Sequence, residues 1–82
     1  DLRNRVGEAL MQTGELERAR EAFEKTLEGN GRFLRARLNL GLVLLRSGEP
    51  EAAREQWQEA RSQEPGSPQV RAYLGLLETE AV

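Results

Sequence analysis

The sequence predicts an all-α fold: five helices in antiparallel helix–turn–helix units, within one domain spanning residues 1–82. Three observations predict it. Columns of like residues recur every 34 positions: Gly7, Gly41 and Gly75; Val6, Leu40 and Leu74; Arg3, Arg37 and Arg71. Within the first two units Gly14, Glu15, Ala19 and Arg20 return as Gly48, Glu49, Ala53 and Arg54, and Phe23 is matched by Trp57. A gapless period of this length marks a repeat architecture, in which each unit buries its apolar face against the next. Inside each unit the apolar residues follow helical spacing, and the segments between them hold glycine or proline.

Repeat one covers about residues 1–33. Its first helix is expected over about Leu2–Thr13, stopped at Gly14, and its second from Glu15 to Leu27 or Glu28. The turn "EGNGR" (Glu28–Arg32) follows. Repeat two, about 34–67, is clearest. A helix over about Leu34–Ser47 ends at "SGEP", where Gly48 suits a C-terminal cap and Pro50 suits the first turn of the next helix. That helix runs over about Pro50–Ser62 and is ended by "QEPGSP" (Gln63–Pro68). The third unit, about 68–82, holds a single helix from Pro68 to about Ala81. Such short turns place consecutive helices antiparallel.

Gly41 interrupts a leucine-rich helix, at a cost of about 1 kcal/mol relative to alanine. Its recurrence with Gly7 and Gly75 points to packing. The expected compensation is a close backbone approach to Ala53 twelve residues on, with Gly7 and Ala19 repeating the device. Phe23 and Trp57, one turn past those alanines, are the large core contributors.

The composition narrows the function. There is no histidine and no cysteine, and Asp1 is the only aspartate. The commonest general base, the thiol nucleophile and the usual transition-metal ligands are therefore missing, so no enzyme activity, metal or cofactor is expected. A net charge of −2 with mixed signs gives no nucleic-acid footprint. No apolar run reaches the length of a membrane span. The compartment is not legible, and neither is whether the chain is a piece of a longer repeat protein.

The columns resemble the tetratricopeptide repeat, whose pattern is Leu-Gly, Ala, an aromatic and Pro on this period. Here they are Val6–Gly7, Ala19 and Phe23; Leu40–Gly41, Ala53, Trp57, Ala60 and Pro65; and Leu74–Gly75. The chain departs from the pattern at Thr26, where alanine is usual, and at Gly31, where proline is usual. It departs again at Arg3, Arg37 and Arg71 in place of an aromatic, and at Gly29 and Gln63 in place of an aliphatic residue. Loose packing is expected at the Glu28–Arg32 turn. The resemblance implies helix pairs stacked as a right-handed α-solenoid, with the first helix of each pair lining a concave groove that binds a peptide or protein.

Read at 100° per residue, the helix over Leu34–Ser47 is apolar nearly all round. Leu40 and Leu44 are expected to pack within their own pair, leaving Leu38, Leu42 and Leu45 toward the groove beside Arg35, Asn39 and Arg46. The corresponding groove positions are Asn4, Glu8 and Met11 in the first unit and Ala72, Leu76 and Thr79 in the third, with Tyr73 adjacent. The alternative is that these leucines contact neighbouring helices. An open apolar floor would take a hydrophobic or amphipathic segment of a partner. Homo-oligomerisation through the same surface or the last helix is the competing expectation. Some members of the family clamp the C-terminal carboxylate of heat-shock chaperones with polar residues. The matching positions here are Asn4, Glu8, Asn39, Gln69 and Tyr73, of which Asn39 alone fits, so this binding is not expected.

Overall fold

A computed structural model describes residues 1–80. Five helices follow one another: α1 (Leu2–Gln12), α2 (Leu16–Gly29), α3 (Leu34–Arg46), α4 (Pro50–Gln63) and α5 (Pro68–Glu80). The helix end expected at Ala81 lies outside the described residues, and the groove position at Thr79 outside the described side chains. The other boundaries fall within two residues of those read from the sequence. α1 pairs with α2 and α3 with α4; α2 packs on α3 and α5 on α4, so successive units stack.

The turns are set by local chemistry. α1 opens on Asp1, whose Oδ1 accepts from the Arg3 amide at 2.7 Å, satisfying one of the amides left without a helical partner. Gly14 and Gly48 adopt φ of 86° and 82°. At Gly48 the amide of Glu49 donates back to the Leu44 carbonyl (2.9 Å) and that of Gly48 to Leu45 (3.1 Å); Glu15 and Gly14 repeat this with Leu10 and Met11. This is the Schellman closure, which needs a left-handed residue that glycine supplies without steric cost. Pro50 begins α4. The Val70 amide donates to Ser67 Oγ at 3.3 Å and fixes the start of α5.

The core divides into two clusters. Ala19 and Phe23 of unit one pack with Leu40, Val43, Leu44 and Ala53 of unit two. Leu38, Trp57 and Ala60 pack with Val70 and Leu77 of α5. Leu40 and Leu44 therefore join the two units as well as their own pair, and the cluster around Trp57 joins unit two to α5. Leu42 and Leu45 are half-buried against that second cluster, and Leu45 touches the first as well.

The glycine column does a different job from the one expected. A Cβ on Gly41 would meet Trp57 first, with Nε1 at 2.0 Å and ring carbons at 2.5 and 2.7 Å. On Gly7 it would meet the ring of Phe23, at 2.6 Å. The closest approach is thus of ring to backbone, not of Ala53 to Gly41. Ala19 and Ala53 are fully buried in the same cluster. A Cβ on Gly75 would have nothing within 4 Å among the described residues.

The Glu28–Arg32 turn is tied rather than loose. The carbonyl of Gly31 accepts from Arg37 Nη2 at 2.8 Å and from Gln63 Nε2 at 3.1 Å. Arg32 Nη2 donates to the Gln63 carbonyl at 3.4 Å, and Asn30 Oδ1 accepts from the Arg32 amide. The residues that depart from the repeat pattern, Arg37 and Gln63, are the ones that hold the turn. Thr26, buried where alanine is usual, donates its hydroxyl to the Ala22 carbonyl at 2.9 Å, so no polar group is stranded. On the surface Arg20 bridges Glu24 of its own helix and Glu49 at the entry to α4. The hydrogen bond that Arg20 donates to Glu24, with the nearby carboxylates, raises the pKa of its guanidinium above its ordinary value.

Candidate functional site

The first helices of the units, α1 and α3, and the single helix α5 carry the residues singled out for the groove. Glu8 on α1 organises the polar part. Its Oε2 accepts from Asn39 Nδ2 at 3.0 Å and from Arg35 Nη1 at 3.5 Å. Asn39 is 7% exposed, so this charge-assisted bond satisfies a nearly buried amide. The Arg35 side chain is 68% exposed. Its pairing with Glu8 is weak on energetic grounds but restrains where the guanidinium points.

Between α3 and α5 lies a hollow of about 140 Å³ lined by Arg35, Leu38, Asn39, Gln69 and Tyr73. Leu38 forms its floor: the residue is 4% exposed and belongs to the cluster around Trp57. Tyr73 meets Trp57 edge-on, with ring centroids 5.4 Å apart and planes at 90°. Trp57 in turn donates Nε1–H to the Leu38 carbonyl at 3.0 Å. Floor and wall are thus held by one buried indole, so the hollow is preformed.

Of the groove residues expected from sequence, Arg35, Leu38, Asn39 and Tyr73 come together at this hollow. Leu42 and Leu45 are half-buried against the cluster around Trp57. Leu76 on α5 is 43% exposed. Met11 packs half-buried against the first cluster, and Arg46 is exposed in the last turn of α3; neither lines the hollow. Glu8 belongs to the groove set expected from sequence, whereas Gln69 was expected there only as a position of the carboxylate clamp. The period itself pointed to both, because Glu8 stands in the column of Leu42 and Gln69 in the column of Arg35.

The chemistry offered is recognition. An arginine head, two side-chain amides and a phenol surround an apolar floor, which suits a short stretch of peptide with alternating polar and apolar groups. Among the described residues no group of acidic, histidine or cysteine side chains could hold a metal ion. No described helix is long and apolar enough to cross a membrane.

A sequence model of the tetratricopeptide repeat matches residues 4–68 and again residues 38–81, the two matches starting one period apart. No curated protein and no solved structure matches the chain.

Proposed function

The chain belongs to the tetratricopeptide repeat family, whose members are in general non-enzymatic protein–protein interaction modules, and from that premise we propose that its α1–α3–α5 face binds a hydrophobic or amphipathic segment of a protein partner. The observation that carries the reading is the preformed hollow: Arg35, Asn39 and Gln69 around the Leu38 floor, with Tyr73 as a wall. Asn39 spends its amide N–H on Glu8, which leaves its oxygen turned to accept from a peptide N–H. Gln69 supplies a second amide, and Arg35 a positive head for an acidic side chain. An apolar side chain of the segment would lie against Tyr73 and extend toward Leu76. Recognition of an extended or helical segment in a groove is a mode that such a mix of anchors serves.

The test is selection of peptides from a random display library on the immobilised protein, followed by fluorescence anisotropy on the winners. Arg35→Glu and Leu76→Glu lie on exposed positions, so both variants should keep the circular dichroism of the parent. Each should weaken the selected peptides about tenfold, the effect of losing one hydrogen-bonded or apolar anchor. Peptides that bind both variants as well as the parent would reject the face.

Self-assembly is the second reading, favoured by Leu76 standing 43% exposed on α5. Light scattering across a dilution series decides it: a mass that stays at the monomer value removes this reading.

A further inference from the structure

The first unit carries another cleft, of about 390 Å³, between α1 and α2. Leu2, Val6 and Leu10 of α1 line it with Ala22 of α2, together with three basic residues, Arg3, Arg18 and Lys25, and one acid, Glu21; Arg18 also pairs with Glu15 at 2.8 Å. Leu2 is 75% and Val6 47% exposed. Two neighbouring aliphatic side chains this open on one helix face are more than scattered surface apolarity.

The repeat shows what such a face receives. One period on, the same column reads Ala36, Leu40 and Leu44, and these are 0%, 4% and 3% exposed. Leu40 and Leu44 are covered in the cluster that contains Ala19 and Phe23 of α2, and α2 reaches the entry of α4 through Arg20 and Glu49 at 3.2 Å. An amphipathic helix therefore fills this position in unit two. Unit one presents the same apolar stripe with different walls. Arg18 stands where unit two has Ala52, and Lys25 where it has Glu59. A helix that fits here meets bases at two positions, Arg18 and Lys25, where unit two has an alanine and an acid. Two copies joined cleft to cleft would set three basic residues of each, Arg3, Arg18 and Lys25, against a single lining acid, Glu21, of the other. Outside this cleft the described surface exposes Leu76 as its large aliphatic residue, a single side chain rather than a stripe.

We propose that the α1–α2 cleft is the docking site for an amphipathic helix of a protein partner, apolar along one stripe and acidic along its edges. The helix lays its stripe on Leu2, Val6 and Leu10 and its carboxylates beside Arg18 and Lys25. This surface is separate from the hollow at Tyr73, and the two stand or fall apart.

Two stapled synthetic helices with one leucine stripe, flanked by glutamate in one and lysine in the other, test the proposal. The glutamate helix should bind about tenfold tighter by fluorescence anisotropy at low salt, with NMR shift changes at Leu2, Val6 and Leu10. Val6→Glu, at an exposed position, should weaken it about tenfold with unchanged circular dichroism. The double variant Arg18→Ala with Lys25→Glu, which installs the unit-two residues, should reverse the preference between the helices. Equal affinity for both helices, binding of neither, or shifts confined to the surroundings of Tyr73 would each overturn it. So would a dimer in light scattering that Val6→Glu dissociates, since the occupant would then be a second copy.

Discussion

The indole of Trp57 lies on the backbone of Gly41 and donates Nε1–H to the carbonyl of Leu38, three residues earlier on the same helix, at 3.0 Å. The ring can reach that carbonyl only because residue 41 has no side chain. One contact thus sets the spacing of α3 and α4, satisfies a buried donor, and supports Leu38 and Tyr73 at the hollow.

Gly41→Ala should therefore be costly and Gly75→Ala should not. The added methyl at residue 41 collides with a fully buried ring, an overpacking loss of about 2 kcal/mol. Displacing the indole also forfeits a buried hydrogen bond of about 1 kcal/mol. Helix propensity returns about 1 kcal/mol, for a net loss of about 2 kcal/mol. At residue 75 the methyl meets nothing within 4 Å among the described residues, so the propensity gain should dominate, about 0.5–1 kcal/mol of added stability. Urea denaturation of the two variants checks both signs.

The same contact shows how far the sequence could be read. The 34-residue period, the five helices and the caps at Gly14 and Gly48 follow from residue spacing and turn chemistry, which are local. The glycine column was legible as a site of close approach, but its partner was not Ala53. Side chains lean toward the N-terminus of their own helix, so the Trp57 ring covers the turn before its own Cα. Spacing of Cα positions ignores that lean. Polar contacts between units were less legible still. Nothing in the spacing of Arg37 and Gln63 says that both reach the Gly31 carbonyl, because a long side chain finds its acceptor only once the turn is folded.

That shared carbonyl gives a second prediction. Arg37 donates to Gly31 and, through Nη1, to Gln56 at 2.8 Å, so Arg37→Ala removes bonds to both the preceding turn and α4. A loss of about 1.5 kcal/mol is expected. Gln63→Ala, at a more open position, should cost about 0.5 kcal/mol. The two share an acceptor, so the double variant should lose less than the sum. A double-mutant cycle in urea measures the coupling: strict additivity would mean that the two donors act on Gly31 independently, and single variants as stable as the parent would mean that these contacts contribute nothing.

Asn4 offers a gain. It is 3% exposed, and its Oδ1 has no hydrogen-bond partner among the described residues. In the repeat it stands in the column of Leu38 and Ala72, where the chain otherwise places apolar residues. Asn4→Leu keeps the branching and the number of heavy atoms while removing a buried polar group without a partner, so stability should rise by about 1 kcal/mol. The melting temperature of the variant reports this directly, and a fall would show that the site holds a bound water for the amide.

Glu8 ties the stability of the fold to the shape of the hollow. In the period it occupies the column of Leu42, yet Glu8→Leu should not behave as a return to pattern. The substitution leaves Asn39 Nδ2 without its acceptor at a position 7% exposed, a loss of about 1–2 kcal/mol that a more apolar surface does not offset. Glu8→Gln keeps an oxygen for Asn39 and gives up only the charge facing Arg35, a pair exposed enough to be worth a few tenths of a kcal/mol. Thermal melting should rank the parent and Glu8→Gln close together and Glu8→Leu clearly below them. Binding of a groove-selected peptide should separate the same variants differently. Glu8→Gln frees the Arg35 head and should strengthen peptides that carry an acidic residue there, whereas Glu8→Leu lets Asn39 turn and should weaken every peptide that uses its amide. If Glu8→Leu melts with the parent, the Asn39 bond is not what holds that side chain, and the hollow owes its form to the Trp57 contact alone.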